Sequence, residues 1–536
     1  MGVLDYVWLG ILEVFTATPL FSLFGLPVST TLVMVVCGFL GGIVVGATPG
    51  LAGPFAMAIS LPILISVFGF HTHALLPVLG FLVGVMKGAT VGGAVPAILF
   101  NTPGTPDALM TTLDGYPMTQ RGQAGKALRV SHFSSVSGDT ISDLVLFTCA
   151  PFLAVVVEAH LDFTEKAALI ILSLALISAV VGKSPLKGVL AALLGMLFAS
   201  VATGEDSYPR LTLDLVELAG GFPLITAVLG VLILGEIFKA LEDLWQEMRQ
   251  SAQIAKQEMS GDNRLHLGDV RRILPFVGIS AGIGTLVGAL PGVGSTLAAT
   301  LGYATGRRLH KGEVPFGQGT PEGIAATEAA NSAVSGANLI PVLSLGIPGN
   351  VAAVFLLLAM ETIGDFNPGP SVFHFTENEV NSELVIAFGL FTTMALANLL
   401  NWTIGGVFMR SMGVMVRVPK QVLLPVVLLI TLSAIYVQET DMNAVYFAIF
   451  FGGLGYLMRK LEISILPFVI AFILTGNLEA TLRQAFSAAG SDPWFLLKSP
   501  ISIVFLGLAV AVVVFFSRKP SAQNPGLNRE PATFQS

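Results

Sequence analysis

The 536-residue sequence predicts an all-α polytopic membrane protein made of two inverted repeats, with Pro-Gly-interrupted helices and re-entrant or half-spanning segments. Three observations predict it. Apolar residues make up 54% of the chain and charged residues 11%, less than half the roughly 25% charged share of soluble domains. Apolar runs close to the ~20 residues that cross a bilayer recur along the chain. Finally, "PAILFNTPG" (Pro96–Gly104) returns as "PVLSLGIPG" (Pro341–Gly349), with both prolines and the final glycine in register.

In chain order, residues 1–27 are read as an N-terminal apolar helix and 28–241 as the first repeat half. A charged cytoplasmic connector covers 242–272, the second half 273–517, and a disordered cytoplasmic tail 518–536. Spans are drawn at about 28–46, 75–100, 133–157, 166–182, 185–203, 222–241, 273–290, 322–346, 384–409, 421–438, 442–458 and 501–517, on hydropathy and length. Shorter segments fall at about 8–25, 53–68, 293–306, 349–363 and 462–478. The start, "MGVLDYVWLG", lacks a basic n-region and has Tyr6 where a myristoylation motif needs Ser or Thr, so it is expected to be mature protein. The tail, rich in Pro and Asn, cannot build a packed core. The net charge of −7 is spread through loops without a basic face, so nucleic acid is not an expected partner. Cys37 and Cys149 lie in apolar segments and supply neither a disulfide framework nor a zinc site.

Basic residues near span ends mark cytoplasmic loops. Arg121, Lys126 and Arg129 put one loop inside, and "EAHLDF" (Glu158–Phe163) follows outside. Lys183 and Lys187 return inside, Ala202–Arg210 is outside, and the connector and Gly306–Gly312 are inside. Phe366–Glu383 contains no Lys or Arg and is outside; Arg410, Arg417, Lys420, Arg459, Lys460, Arg518 and Lys519 are inside. The first copy, from "GATPGL" (Gly46–Leu51) to "NTPG", therefore empties inside, and the second, from "GALPGV" (Gly288–Val293) to "GIPG", empties outside. The offsets are 242 residues (Gly46 to Gly288) and 245 residues (Pro96 to Pro341). Inverted repeats with interrupted helices are a signature of secondary transporters, whose site lies near the midplane where the copies meet.

Proline removes an N–H donor and glycine accepts positive φ, so Pro49-Gly50 and Pro103-Gly104 are expected to end helices inside the bilayer. The exposed backbone must then be covered by protein or line a cavity. Each resuming segment offers free N–H groups and the positive end of its dipole, which suits a carboxylate. The candidate substrate-binding residues are Thr48, Pro49, Gly50, Asn101, Thr102, Pro103, Gly104 and Thr105, with Gly292, Gly294, Ser295, Thr296, Pro348, Gly349 and Asn350 in the second copy. The Thr, Ser and Asn side chains could equally cap helix ends.

Lys87 lies mid-segment in "GVMKGATVGG" (Gly84–Gly93), where an unpaired cation costs at least a few kcal/mol. Two readings stand for it: a counter-charge for substrate carboxylate, or a structural side chain that snorkels or pairs with an acid such as Glu328 or Asp107. Glu328, Asn331, Ser335 and Asn338 form a polar stripe at helical spacing. It could coordinate sodium, carry a proton on Glu328, or hydrogen-bond neighbouring helices. Asp139 and Asp143, close to an inside loop, are expected at a solvated helix end.

"GISAG" (Gly278–Gly282) matches G-x-S-x-G, but it lies in an apolar helix instead of a strand-to-helix turn, and no histidine is evidently placed to serve Ser280. H-E-x-x-H and Walker-type loops do not occur, so neither metalloprotease nor ATP-driven pump is supported. An intramembrane enzyme is the remote alternative. No cofactor is expected beyond a transported sodium ion or proton.

"GATPGL", "NTPGTPDAL", "LDGYPM" (Leu113–Met118), "PEGIAATEAANSA" (Pro321–Ala333), "LIPVLSLGIPG" (Leu339–Gly349) and "NPGP" (Asn367–Pro370) occur in this order. Together they resemble the large transmembrane subunit of the tripartite tricarboxylate transporter family over about residues 28–515. The resemblance implies a bacterial inner-membrane uptake system driven by a sodium or proton gradient. A small membrane subunit accompanies this chain, and a periplasmic solute-binding protein delivers an organic carboxylate. The chain departs from the family's pattern at Lys87, usually aromatic, and at Thr327 and Ser332, usually proline and asparagine, which leaves the carboxylate open. A stand-alone anion carrier that needs no binding protein is the other transport reading.

Overall fold

A computed structural model describes residues 2–23, 26–48, 52–181, 184–202, 210–247, 264–364, 366–375, 380–408 and 420–518. Most of the expected connector, and the tail after Arg518, lie outside the described residues. The chain is an all-α polytopic membrane protein. In order, the helices are α1 (Val3–Thr16), α2 (Thr30–Gly46), α3 (Gly53–Phe68), α4 (Thr72–Gly92), α5 (Ala94–Phe100), α6 (Leu109–Gln120), α7 (Ala124–His160), α8 (Phe163–Val180) and α9 (Pro185–Ala199). They continue with α10 (Leu224–Leu229), α11 (Gly235–Glu247), α12 (Leu267–Gly288), α13 (Gly294–Leu309), α14 (Pro321–Ala337), α15 (Leu339–Leu345), α16 (Val351–Thr362) and α17 (Ser382–Leu400). The helices Lys420–Glu439, Met442–Lys460, Leu466–Ala488 and Pro500–Arg518 follow.

Eight helices among the described residues are long and apolar enough to cross a membrane. The expected spans at 28–46 and 185–203 end as shorter apolar helices, and 322–346 divides into α14 and α15. The segment at 462–478 instead runs on to Ala488, where Glu479 on its polar side pairs with Arg210 and Arg483. The N-terminal helix stops at Thr16, because Pro19 cannot continue it; Pro19–Leu23 and Leu26–Ser29 pair as antiparallel strands.

The chain divides into two compact units. One comprises Asp162–Gly221 and Leu457–Ser536. There α9 packs on Leu466–Ala488 through Gly195, where an added Cβ would meet the Phe468 carbonyl at 2.2 Å. Pro500–Arg518 packs on α8 and leaves Val510 and Phe515 exposed.

The other unit, Met1–Leu161 with Phe222–Tyr456, carries both break motifs. Its strongest packing joins α2 to α4 through two glycine ladders. Cβ atoms at Gly38, Gly42 and Gly46 would come within 2.1–2.5 Å of the Phe81, Val85 and Ala89 carbonyls, so only glycine lets these backbones touch. The same contact recurs between α12 and α14, where Gly284 meets Ala330 and Gly288 meets Val334. Those positions are displaced by 242 residues on the first helix and 245 on the second. A shared apolar core of Phe39, Ile43, Val95, Ile98, Ile273 and Ile324 ties α2, α5, α12 and α14 together. Helix α7, 37 residues long, extends about 55 Å, well beyond the ~30 Å hydrocarbon thickness.

Candidate functional site

The helix breaks fall where the Pro-Gly motifs place them, and their hydrogen bonds repeat. Pro96 and Pro341 have no N–H to donate to the preceding turn, so α4 gives way to α5 at Gly93 and α14 to α15 at Asn338, with both junctions still helical in backbone. Helix α5 then ends at Asn101 (φ 53°) and α15 at Gly346 (φ 69°). Thr102 N–H donates to the Pro96 carbonyl at 3.3 Å and Ile347 N–H to the Pro341 carbonyl at 3.1 Å, so the same bond, six residues long, closes each left-handed helix end. Upstream, Ala47 N–H donates to Ile43 and Ala289 N–H to Thr285, while Thr48 N–H donates to Val45 and Leu290 N–H to Val287.

This geometry corrects the expected role of two glycines. Positive φ belongs to Asn101, Gly292, Gly294 and Gly346, not to Gly104 or Gly349. Gly104 is needed for room, because a Cβ there would lie 2.3 Å from the Gly46 carbonyl. Gly349 is less crowded, with Asn338 Cβ at 3.2 Å, and its carbonyl accepts from Gly292 N–H at 2.8 Å. That bond ties the two breaks of the second copy together.

A cavity of about 290 Å³ lies beside these breaks, lined by Ala52 and Pro54 at the start of α3, by Gly104 and Pro106, by Leu232, Ile233 and Glu236, and by Val351 and Phe355 on α16. The positive ends of α3 and α16 therefore border one space. Of the proposed substrate-binding residues that are described, only Gly104 is in its lining. Several others cap or bridge. Thr48 Oγ1 donates to the Val44 carbonyl at 2.8 Å, and Thr102 Oγ1 to the Phe100 carbonyl at 3.2 Å. Asn350 Oδ1 accepts from Ala353 N–H at 2.9 Å, which caps α16. Thr296 Oγ1 donates to Asp107 Oδ1 at 2.5 Å, joining α13 to the first-copy break. Pro103 and Ser295 are half-buried, and Thr105 and Pro348 are buried. Pro49 and Gly50 lie outside the described residues.

The polar stripe on α14 is fully interior: Glu328, Asn331, Ser335 and Asn338 are all buried. Glu328 accepts from Thr111 Oγ1 and, at 3.0 Å, from Ser135 Oγ. Among the described residues, Asn331 Oδ1 and both amide atoms of Asn338 are buried without a hydrogen-bond partner. So are Ser332 Oγ on the same helix and Ser131 Oγ and Ser134 Oγ on α7. Helix α7 packs tightly on α14, with Gly138 against the Ala329 carbonyl. Buried polar atoms usually find partners, so these side chains on α14 and α7 form a polar seam in the interior.

Lys87 pairs neither with Glu328 nor with Asp107. Its Nζ lies 2.8 Å from Asp139 Oδ1 and 2.8 Å from Asp143 Oδ2, with all three side chains at most 4% exposed. The expected solvated end for the two aspartates is thereby overturned. Helix α7 begins at Ala124, so both lie well inside it. Asn398 on α17 donates to Asp143 Oδ2 at 2.7 Å, and Ser335 Oγ donates to Asp139 Oδ1 at 2.5 Å. Lys87 is not in the lining of the cavity.

A further buried acid was missed as a structural centre. Asp114 in "LDGYPM" accepts from the Gly317, Gly319 and Thr320 N–H groups at 2.8–3.0 Å and from Tyr303 Oη at 3.0 Å. Gly317 and Gly319 both have positive φ, which turns successive N–H groups toward one anion. The glycine spacing in "FGQGTPEG" (Phe316–Gly323) is the signal that could have revealed this anchor.

Comparison with known proteins completes the picture. The model of the tripartite tricarboxylate transporter TctA family matches residues 32–470. An uncharacterised 52.8 kDa protein in the TAR-I ttuC' 3' region of Agrobacterium vitis is 30% identical over 484 residues, covering 89% of this chain and 91% of the relative. A second uncharacterised protein of that organism, in the TAR-II ttuC' 3' region, is 30% identical over 235 residues, covering 43% of this chain and 92% of the relative. With break motifs, buried polar seam and family match in agreement, the chain belongs to the tripartite tricarboxylate transporter TctA family.

Proposed function

We propose that this subunit carries the translocation path of a binding-protein-dependent secondary transporter that imports an organic carboxylate on a sodium or proton gradient. It sits in the bacterial inner membrane with its C-terminus cytoplasmic, alongside a small membrane subunit, and a periplasmic solute-binding protein delivers the anion. The reading rests on one observation above all: a single cavity is lined by Gly104 and Pro106 of the first copy and by Val351 of the second. Matched interrupted helices meeting at a shared space is the arrangement in which secondary transporters bind substrate. In this reading the copies are inverted, as the Lys and Arg placement favours.

The carboxylate is held at the breaks, with Gly104 giving backbone access. Thr48, Pro49, Gly50, Asn101, Thr102, Pro103, Thr105, Gly292, Gly294, Ser295, Thr296, Pro348, Gly349 and Asn350 shape or cap the ends around it. Glu328, Asn331, Ser335 and Asn338 serve ion coupling. No catalytic role is assigned to Ser280, which is buried on α12 against α13.

The test is uptake of labelled carboxylates into proteoliposomes with imposed sodium or proton gradients, with and without the two partner proteins. Gradient-driven uptake is expected only when all three proteins are present. Saturable, gradient-driven uptake by this chain alone would instead support a stand-alone carrier.

A further inference from the structure

The group around Lys87 contains one cation and two anions in a fully buried place. Lys87 on α4 bonds Asp139 and Asp143 on α7 at 2.8 Å each, and Asn398 and Ser335 hold one oxygen of each carboxylate. Asp143 Oδ1 is buried and has no hydrogen-bond partner among the described residues. If both aspartates are ionised, the triad carries an excess negative charge, which is costly to keep in a low-dielectric interior. A second positive species must neutralise it.

The geometry discriminates between a proton and a metal ion. The ammonium already fills the position between the two carboxylates. Asp143 Oδ1 faces the backbone of α14 so closely that a Cβ on Gly336 would come within 2.2 Å of it. A hard cation needs several oxygen ligands around it, and among the described residues no group of three or more His, Cys, Asp or Glu is assembled. A proton needs only one oxygen.

We propose that the Lys87–Asp139–Asp143 triad is a proton-binding site of the transport cycle, with the proton seated on Asp143 Oδ1. This deepens the secondary-transport reading and rests on it for the word "cycle". Binding forms one O–H bond on Oδ1 with a proton taken from water on the side of higher proton activity. Release breaks that bond and returns the proton to water on the other side; no electrons move. Protonation leaves Lys87 one full ionic partner, Asp139, and so weakens the tie between α4 and α7. Helix α4 leads through Gly93 into α5 and the Asn101–Gly104 break, which gives the proton a mechanical route to the cavity.

The acids on the helices packed around α7 belong to bonding groups separate from the triad. Glu328 on α14 is held by Thr111 and Ser135. Asp269 on α12 pairs with Lys126, Asp114 on α6 is bound by the Gly317–Thr320 backbone, and His132 on α7 bonds Asn401. Glu383 is the acid on α17, in its first turn. Helices α5 and α15, the turn Pro370–Phe373 and the segment Asn401–Gly405, which also pack on α7, carry no titratable side chain.

Infrared spectroscopy of the full-length protein in lipid nanodiscs tests the site without requiring transport. The wild type should show a carbonyl band from a protonated carboxylic acid that disappears as pH rises. Asp143→Asn and Asp139→Asn each leave one acid for one ammonium, so both should lose this band. Lys87→Met should strengthen it, and Glu383→Gln, in the first turn of α17, should leave it in place. A band unchanged in both aspartate variants, or no such band in the wild type, overturns the proposal.

The transport arm uses proteoliposomes with the partner proteins and labelled citrate. Asp143→Asn should lower accumulation driven by a pH gradient, relative to citrate counterflow, by about tenfold or more, within the usual range of coupling between two sites. Undiminished pH-driven accumulation in that variant also overturns the proposal. Absence of any wild-type transport counts against the function reading alone, while the infrared result still decides the proton site.

Discussion

Helix α4–α5 ends at Asn101 and helix α14–α15 at Gly346, and both are split by a proline at the same place and closed by the same left-handed turn. Their partner helices α2 and α12 lie against them through glycines at matching offsets. The side chains that fill this shared scaffold differ. Position 87 of the first copy is lysine and its counterpart at 332 is serine; Lys87 is doubly ion-paired, whereas Ser332 Oγ is buried without a hydrogen-bond partner among the described residues. Backbone geometry is thus repeated where Pro and Gly dictate it, while the buried charges differ: the first copy has Lys87 where the second has Ser332, and the second has Glu328 where the first has Val83.

Substitutions at matched positions can break or sharpen this comparison. The largest difference is expected between Lys87→Met and Ser332→Ala. Removing the ammonium leaves two buried carboxylates without their cation, and loss of one member of a buried ion pair costs about 3–5 kcal/mol. Removing the unpartnered serine hydroxyl should leave stability unchanged or slightly higher. Denaturation in detergent, followed by circular dichroism, measures both, and equal effects would contradict the asymmetry.

A smaller difference separates the motif glycines. Gly104→Ala forces a methyl group into the Gly46 carbonyl and should cost about 1–3 kcal/mol, as overpacking does. Gly349→Ala meets only Asn338, which can shift by tenths of an ångström, so its thermal midpoint should fall less. At the helix ends, Gly346→Ala places a Cβ at φ 69° and should cost about 1–2 kcal/mol, whereas Asn101→Gly should be nearly neutral. Asn350→Ala, which removes the cap of α16, should cost about 1 kcal/mol.

What the sequence reveals and what it hides follow the range of the forces involved. Pro96, Pro341 and their neighbours act on their own backbone within a turn, so the breaks and the repeat could be read directly from spacing. The cause assigned to Gly104 could not, since its constraint is the carbonyl of Gly46, 58 residues away by number. The Asp139/Asp143 spacing was equally visible, but its meaning depended on where α7 starts. With α7 beginning at Ala124, the pair sits mid-helix, within reach of Lys87 and Asn398 from two other helices. The cavity was expected at the breaks, yet beside Gly104 and Pro106 its walls come from the starts of α3 and α16 and from Leu232, Ile233 and Glu236, which residue type alone did not single out.

The central claim is that the two copies share one scaffold in opposite orientations, and side-specific labelling tests it most directly. After Cys37 and Cys149 are replaced and transport is shown to survive, Gln123→Cys and Ser371→Cys are introduced separately, since these positions follow the first and second copies. A membrane-impermeant thiol reagent added to intact spheroplasts should label the Ser371→Cys protein and not the Gln123→Cys protein, and disrupting the membrane should expose both. Equal labelling in intact spheroplasts would make the copies parallel and contradict a site formed between opposed helix breaks.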